Sequence, residues 1–235
     1  MNKIKSLSVV IPLFKDHKTV SIVYKKFRKI IRKIKIKSEI VFVDDACPFK
    51  SGKVLLPYKK HDKSLKVIFH KKNKGYGATL KTGLVNSRYN FIYMTDGDDE
   101  YDINNLERFL NLAKKNDLVI GYRKKRNYNF FRKVVSYFYN FLIRKLFKLN
   151  FKDVSAGVRI FNKKILNKFN LSSNGPFIVA ELIIKTNFYN YRISELGVSH
   201  KIRRYGDGSV VNLKNILIVS YQLIKLFFIL NNKKK

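Results

Sequence analysis

Apolar positions recur along this chain in two alternating rhythms. Leu7 to Leu13 is an apolar run that carries Pro12 and ends in charge, the length and character of a strand buried on both faces. Then the spacing changes. Val20, Val23, Tyr24, Phe27, Ile30, Ile31 and Ile34 step by three and four, which predicts an amphipathic helix. Ile40 to Val43 is a second apolar run and ends in Asp44 and Asp45. After a loop holding Pro48, Gly52 and Pro57, Leu65 to Phe69 predicts a third strand, and a helix runs from Ala78 to about Ser87. A fourth strand starts at Phe91, a helix covers Ile103 to Lys115, and Asp117 to Ile120 is a fifth strand closed by Gly121. Alternation of this kind predicts an α/β fold, a mostly parallel sheet with helices on both faces.

Beyond residue 127 the pattern is more amphipathic. Phe130, Phe131, Val134, Val135, Phe138, Phe141, Leu142, Leu146 and Phe147 form one stripe of a helix over 129–148, flanked by Arg132, Lys133, Arg144, Lys145 and Lys148. Such a helix either lies in a membrane interface or packs on the sheet with a solvated face. Lys152 to Phe161 reads as a loop leading into a short strand, Phe177 to Asn187 as a helix carrying Glu181, and Ile193 to Ile202 as extended. Ile216 to Leu230 is the most apolar segment, interrupted by Ser220, Gln222 and Lys225 and followed by three lysines. It falls short of the roughly 20 residues that span a bilayer, so an interfacial helix over 211–235, after a main domain over 1–210, is the expectation. Met1 to Phe14 superficially resembles a signal peptide. Its apolar run is short, contains Pro12 and meets Lys15 to Lys18 where a cleavage site would need small residues, so it is read as the first strand.

Charge changes the picture. Fifty Lys and Arg face 16 acids among 235 residues, a formal charge of +34. Part of that excess is what an AT-rich genome writes. The rest suits a polyanionic partner: nucleic acid, an anionic membrane surface or a phosphorylated substrate. One cysteine excludes an internal disulfide and any multi-cysteine zinc site, and the expected environment is cytosolic.

Against that background the acids after Phe91 stand out: Asp96, Asp98, Asp99, Glu100 and Asp102 follow a strand directly. Carboxylates two residues apart at the carboxyl edge of a parallel sheet can share Mg²⁺ or Mn²⁺, with water and substrate phosphate completing the shell. A solvated acidic turn opening a helix is the alternative. Asn73, Gly75 and Gly77 precede a helix, where backbone approaches a phosphate closely or simply turns from strand to helix. Arg203 and Arg204, before a Gly-rich turn, have the forked donors that match phosphate oxygens.

Taken together these segments resemble a family 2 glycosyltransferase of the GT-A fold, and more closely the polyprenyl-phosphate sugar transferases of the dolichyl-phosphate mannose synthase type. Val9 to Asp16 is similar to the family's strand ending Pro-x-Tyr-Asn-Glu, Val43-Asp44-Asp45 to its nucleotide-contacting acids, and Asn73-x-Gly75-x-Gly77-Ala78 to its glycine loop. Asp96-Gly97-Asp98 matches the Asp-x-Asp motif, and Gly121-Tyr122-Arg123 resembles a Gly-Ser-Arg. Asp153 to Phe161 resembles Asp-x-x-Ser-Gly-Phe-Arg, and His200 to Ser209 the closing Arg-x-x-Gly-x-Ser. Phe14-Lys15-Asp16 in place of Tyr-Asn-Glu and Ala46-Cys47-Pro48 in place of Gly-Ser depart from it, and Gly206 to Ser209 is one residue longer. The processive synthases' Gln-x-x-Arg-Trp is absent, which argues against polymerisation.

The resemblance implies an inverting, metal-dependent transfer from a nucleotide diphosphate sugar to a polyprenyl phosphate on the cytoplasmic face of a membrane. Pro12, Phe14, Asp16, Asp44, Asp45, Asn73, Gly75, Gly77, Lys81 and Asp96 would hold the nucleotide sugar. Asp96, Asp98 and Glu100 would hold Mg²⁺ or Mn²⁺, and Arg123, Arg203 and Arg204 the acceptor phosphate, with Asp96, Asp98, Asp153 and Arg123 the catalytic set. A partner protein would supply any further anchoring. An acceptor hydroxyl, in surface glycan synthesis, would instead need Asp153 or Glu181 as base. A non-catalytic nucleic-acid binder also accounts for the charge, but acids clustered at strand ends repel a polyanion and no nucleic-acid motif is present, so no nucleic-acid partner is expected.

Overall fold

The computed structural model describes residues 4–125, 130–201 and 213–233. Among the described residues seven strands and seven α-helices alternate: β1 Ser6–Leu13, α1 Val20–Ile34, β2 Lys37–Asp44, α2 Leu56–His61, β3 Leu65–Phe69, α3 Tyr76–Val85 and β4 Phe91–Met94. There follow α4 Leu106–Ala113, β5 Leu118–Arg123, α5 Phe130–Phe147, β6 Arg159–Asn162, α6 Ile178–Phe188, β7 Ile193–Val198 and α7 Leu213–Asn232. The sheet order is β3-β2-β1-β4-β6-β5-β7. All neighbours are parallel except β6, which runs antiparallel to both β4 and β5. That reversal brings the start of β6 to the edge where the other strands end.

Alternating side chains of β1 build two cores. Leu7, Val9 and Ile11 face α1 and α4, whereas Val10 joins Ile92 and Met94 beneath α3, α5, α6 and α7. The helices follow from their stripes: Val20, Val23, Tyr24, Phe27, Ile30 and Ile31 are the buried residues of α1.

Pro12 is tolerated in a central strand because β4 is short. The Val10 carbonyl accepts from Thr95 on the β4 side, and β4 pairs only with Ser8 to Val10. Pro12 faces the same side two residues further on, past the last pair, so its missing N–H breaks no ladder bond. Strand order reverses at β1, with β2 on one flank and β4 on the other. Open α/β sheets bind ligands beyond the carboxyl ends of the strands at such a switch point.

Candidate functional site

The loop leaving β4 is held on every side. The Tyr76 hydroxyl donates to Asp96 Oδ1 at 2.7 Å. Thr19 Oγ1 donates to the Gly97 carbonyl at 2.7 Å, and Asp98 Oδ1 accepts from the Glu100 amide at 3.1 Å. Lys26 pairs with Asp99, which sits at φ 63°. The Gly157 backbone closes on Asp96 so tightly that a Cβ there would lie 2.1 Å from Oδ2, and its amide donates to the Tyr101 hydroxyl at 2.9 Å. Burial, and then the neighbouring Asp96 carboxylate, push the Tyr76 phenol well above its ordinary range, so it stays protonated and donates.

The expected three-carboxylate metal set is not assembled. Glu100 is buried and its Oε2 meets His200 Nε2 at 2.8 Å. Among the described residues no group of three or more His, Cys, Asp or Glu is placed to hold a metal. Asp96 and Asp98, both half-buried at the strand end, remain. One or two carboxylates fit Mg²⁺ or Mn²⁺, which keep the other positions for water and phosphate.

Asp16 lies against the same turn. Its Oδ2 accepts from the Phe14 amide at 2.9 Å and sits 3.3 Å from where a Gly97 Cβ would be, with the Pro12 carbonyl beside it. Phe14 is half-buried, and Lys15 Nζ lies 5.6 Å over its ring. The two acids ending β2 are occupied by backbone. Asp44 accepts from the amides of Cys47 and Gly52 at 2.7 and 2.6 Å. Asp45 accepts from those of Lys74 and Gly75 at 2.9 and 2.8 Å and meets His70 Nδ1 at 2.6 Å, while Asn73 Nδ2 donates to its carbonyl. Both carboxylates, expected at the nucleotide, are engaged by backbone amides of the loops after β2 and before α3.

The glycine loop brings a larger correction. The N-terminus of α3, expected to receive a phosphate, is capped by the chain itself: the Asn174 carbonyl accepts from Gly77 and Ala78 at 2.8 and 3.2 Å. A Cβ at Gly75 or Gly77 would fall 2.7 Å from the Asn174 oxygen or 2.6 Å from that of Ser173. These glycines admit another stretch of backbone. Lys81, expected at the nucleotide, holds that stretch by donating to Asn174 Oδ1 at 2.7 Å. Glu181 anchors it from α6, accepting from the amides of Ser172 and Ser173, both at 2.9 Å, and from Lys185. Burial alone would raise the Glu181 carboxyl; the bonds from Lys185, Ser172 and Ser173 outweigh it and hold it below its ordinary value.

Arg123 and Asp153 meet in a two-point pair, Nε to Oδ2 at 2.7 Å and Nη2 to Oδ1 at 2.9 Å, with Ser155 Oγ accepting from Nη2 at 2.5 Å. Both side chains are buried. Arg123 thus faces a carboxylate in place of an acceptor phosphate, and Asp153 faces a permanent cation, a poor setting for a base. Arg203 and Arg204 lie outside the described residues. Four residues of the site were not anticipated: Tyr76, Tyr101, Arg159 and His200. Tyr76, Arg159 and His200 stand inside segments that carry the family resemblance, the glycine loop, the Asp153 to Phe161 segment and the closing segment that starts at His200.

On the α3 side of the sheet, α5 and α7 meet through Phe147 and Phe227, whose ring centroids are 6.0 Å apart. Their outer faces are apolar: Tyr137, Phe138, Phe141 and Leu142 on one, Leu217, Tyr221, Ile224 and Phe228 on the other, with Phe138 63% and Phe228 61% exposed. Lys133, Lys145, Lys148 and Lys225 are exposed beside them. No described helix is long and apolar enough to cross a membrane.

Residues 8–169 match the family model described as glycosyl transferase family 2. The chain is 23% identical over 97% of its length to the dodecaprenyl-phosphate galacturonate synthase of Rhizobium johnstonii, covering 68% of that protein. It is 24% identical over 94% of its length to the undecaprenyl-phosphate 4-deoxy-4-formamido-L-arabinose transferase of Proteus mirabilis, again covering 68%. Among solved structures it is similar to the glucosyl-3-phosphoglycerate synthase of Mycobacterium tuberculosis in complex with Mn²⁺, UDP and phosphoglyceric acid. The TM-score is 0.72 at 15% identity, over 94% of this chain and 76% of that one, a likeness of fold.

Proposed function

The chain belongs to glycosyl transferase family 2, and from that premise we propose that it moves a sugar from a nucleotide diphosphate sugar to a polyprenyl phosphate, with inversion. It is a glycosyltransferase of the GT-A fold. The finer reading rests first on its relatives, whose names specify polyprenyl-phosphate acceptors. The structural observation that carries it is the engagement of Asp153 and Glu181. The two acids that could serve a hydroxyl acceptor as base are held in buried ion pairs with Arg123 and Lys185. A phosphate acceptor is already ionised near neutral pH and needs no base, only placement.

In this mechanism an acceptor phosphate oxygen attacks the anomeric carbon, the carbon–oxygen bond to the donor diphosphate breaks, and the nucleoside diphosphate leaves with the electron pair. Mg²⁺ or Mn²⁺, when bound, offsets the charge building on that diphosphate. Asp96 and Asp98 are the residues to hold it. Tyr76 and the Gly157 backbone fix the direction of Asp96, Thr19 fixes the turn between the two acids, and Asp16 packs beneath it. Asp44 and Asp45 position the loops that form the nucleotide wall. Replacing Asp98 by Ala is expected to lower nucleoside diphosphate release by at least about 100-fold while leaving the fold intact. Release measured with Mn²⁺ and each of several nucleotide sugars checks this, and an Asp98→Ala rate close to that of the unaltered enzyme would remove the metal from the account.

The α5–α7 face would seat the enzyme on an anionic cytoplasmic leaflet, next to a lipid acceptor. Each lysine near such a surface contributes about 1 kcal/mol. Phe138→Glu together with Phe228→Glu is expected to weaken co-sedimentation with anionic vesicles by at least about tenfold. Unchanged sedimentation would show that this face is not the one that meets lipid.

A further inference from the structure

A polar residue breaks the inner stripe of α7, the most apolar segment of the chain. Gln222 is half-buried beside Leu223 and Leu226, whose side chains pack into the core beneath α3. An amide in that setting is costly unless it is hydrogen-bonded. Its Oε1 accepts from Ser173 Oγ at 3.1 Å. Ser173 is 3% exposed and belongs to the stretch that caps α3. A hydroxyl has one proton to give. The other acceptor in reach, the Gly175 carbonyl, is further away at 3.4 Å, so the proton goes to Gln222 and the Ser173 oxygen accepts from the Gly175 amide at 3.2 Å. Glu181 holds the Ser173 amide. These bonds fix both sides of Asn174, whose carbonyl receives the Gly77 and Ala78 amides. The seat is tight: a Cβ at Gly77 would fall 2.6, 2.7 and 2.8 Å from backbone atoms of Ser173, Gly175 and Asn174. The first turn of α3 therefore moves whenever the 173–175 turn moves. Tyr76 opens that helix, and its hydroxyl donates to Asp96 Oδ1 at 2.7 Å. An unbroken series of contacts runs from α7, through residues 173–175 and the start of α3, to the acid after β4.

We propose that Gln222 is a positioning residue of the donor site: through Ser173 it holds the 173–175 turn, and with it the Tyr76 hydroxyl that directs Asp96. Helix α7 is then part of the transfer apparatus and not only an apolar foot on the membrane. The inference rests on the assignment of Asp96 to the donor site. It separates two effects that anchoring alone would tie together. Gln222 bonds to the body of the protein, whereas Leu217, Tyr221, Ile224 and Phe228 form the outer face. Replacing Gln222 by an apolar residue of similar size leaves that face as it is and removes the bond.

The test uses Gln222→Leu in the full chain. Amide hydrogen exchange of a peptide holding Gly77 and Ala78 is followed by mass spectrometry without substrate, turnover by nucleoside diphosphate release with polyprenyl phosphate in detergent, and anchoring by co-sedimentation with anionic vesicles. Gln222→Leu should speed exchange at Gly77 and Ala78 by at least about threefold and lower turnover at saturating donor and lipid about three- to tenfold. Co-sedimentation should stay within about twofold. Ser173→Ala should have the same effects, and adding Gln222→Leu to it should cost nothing more, because both remove one bond. In a Tyr76→Phe background, which already lacks the bond to Asp96, Gln222→Leu should lower turnover no further. Unchanged exchange or unchanged turnover in Gln222→Leu overturns the proposal while leaving Asp96 at the donor site. So does a full second loss of turnover in the Tyr76→Phe background, or a loss matched by weaker vesicle binding. Asp96→Asn turning over at the unaltered rate would overturn the donor-site assignment and the proposal with it.

Discussion

Gly157→Ala is expected to abolish sugar transfer without unfolding the protein. The added methyl would stand 2.1 Å from Asp96 Oδ2 and 2.9 Å from its Cγ, far inside contact distance. The nearest atom belongs to the end of a half-buried side chain, so the collision is relieved by rotating Asp96 away. That rotation gives up the Tyr76 hydrogen bond and the direction in which the carboxylate is held. Misplacement of about 1 Å at a reacting centre lowers rate by about 100-fold. Turnover at saturating donor should fall at least that far, with a urea midpoint close to the starting one. Near-normal turnover would mean that Asp96 is not required where the structure places it.

Asp153→Ala should act in the opposite way, through stability. It leaves the Arg123 guanidinium buried without its two-point partner, and breaking a buried pair from one side costs about 3–5 kcal/mol. Combining it with Arg123→Met removes the stranded charge and should recover most of the loss. If Asp153 were instead a general base, the single variant would keep its urea midpoint and lose only rate. Unfolding curves of the two variants separate these cases.

Much of the architecture was legible in the sequence because β1 to β5 and the helices α1, α3 and α4 obey one rule: apolar runs that end in charge or glycine, separated by three-and-four spacing. Helix α2, Leu56–His61, lies in the segment read as a loop and has no buried residue to give it a stripe. What periodicity could not give was direction. Arg159 to Asn162 is only four residues long and reads as a strand in either sense. Its antiparallel placement follows from tertiary packing, and that placement brings Arg159 to the site. The acids were easier to find than to assign. Asp96, Asp98, Asp44, Asp45, Asp153 and Glu181 all stand near the carboxyl edge or the loops around it, but which of them face a ligand depends on backbone amides and cations far away in sequence. Ser172 and Ser173 claim Glu181, Arg123 claims Asp153, and Gly52 claims Asp44. Gly75 and Gly77 show the same limit, since a glycine that admits a phosphate and one that admits Asn174 look identical as letters.

The most direct measurement is the mass of the lipid. The enzyme is incubated with polyprenyl phosphate, Mn²⁺ and, in turn, UDP-glucose, UDP-galactose, UDP-N-acetylglucosamine and GDP-mannose, and the lipid is extracted and weighed by mass spectrometry. With one of these donors, polyprenyl phosphate should gain a single sugar joined through its phosphate. Lipid left unchanged by every donor, while a hydroxyl-bearing glycan accepts the sugar, would contradict the lipid acceptor.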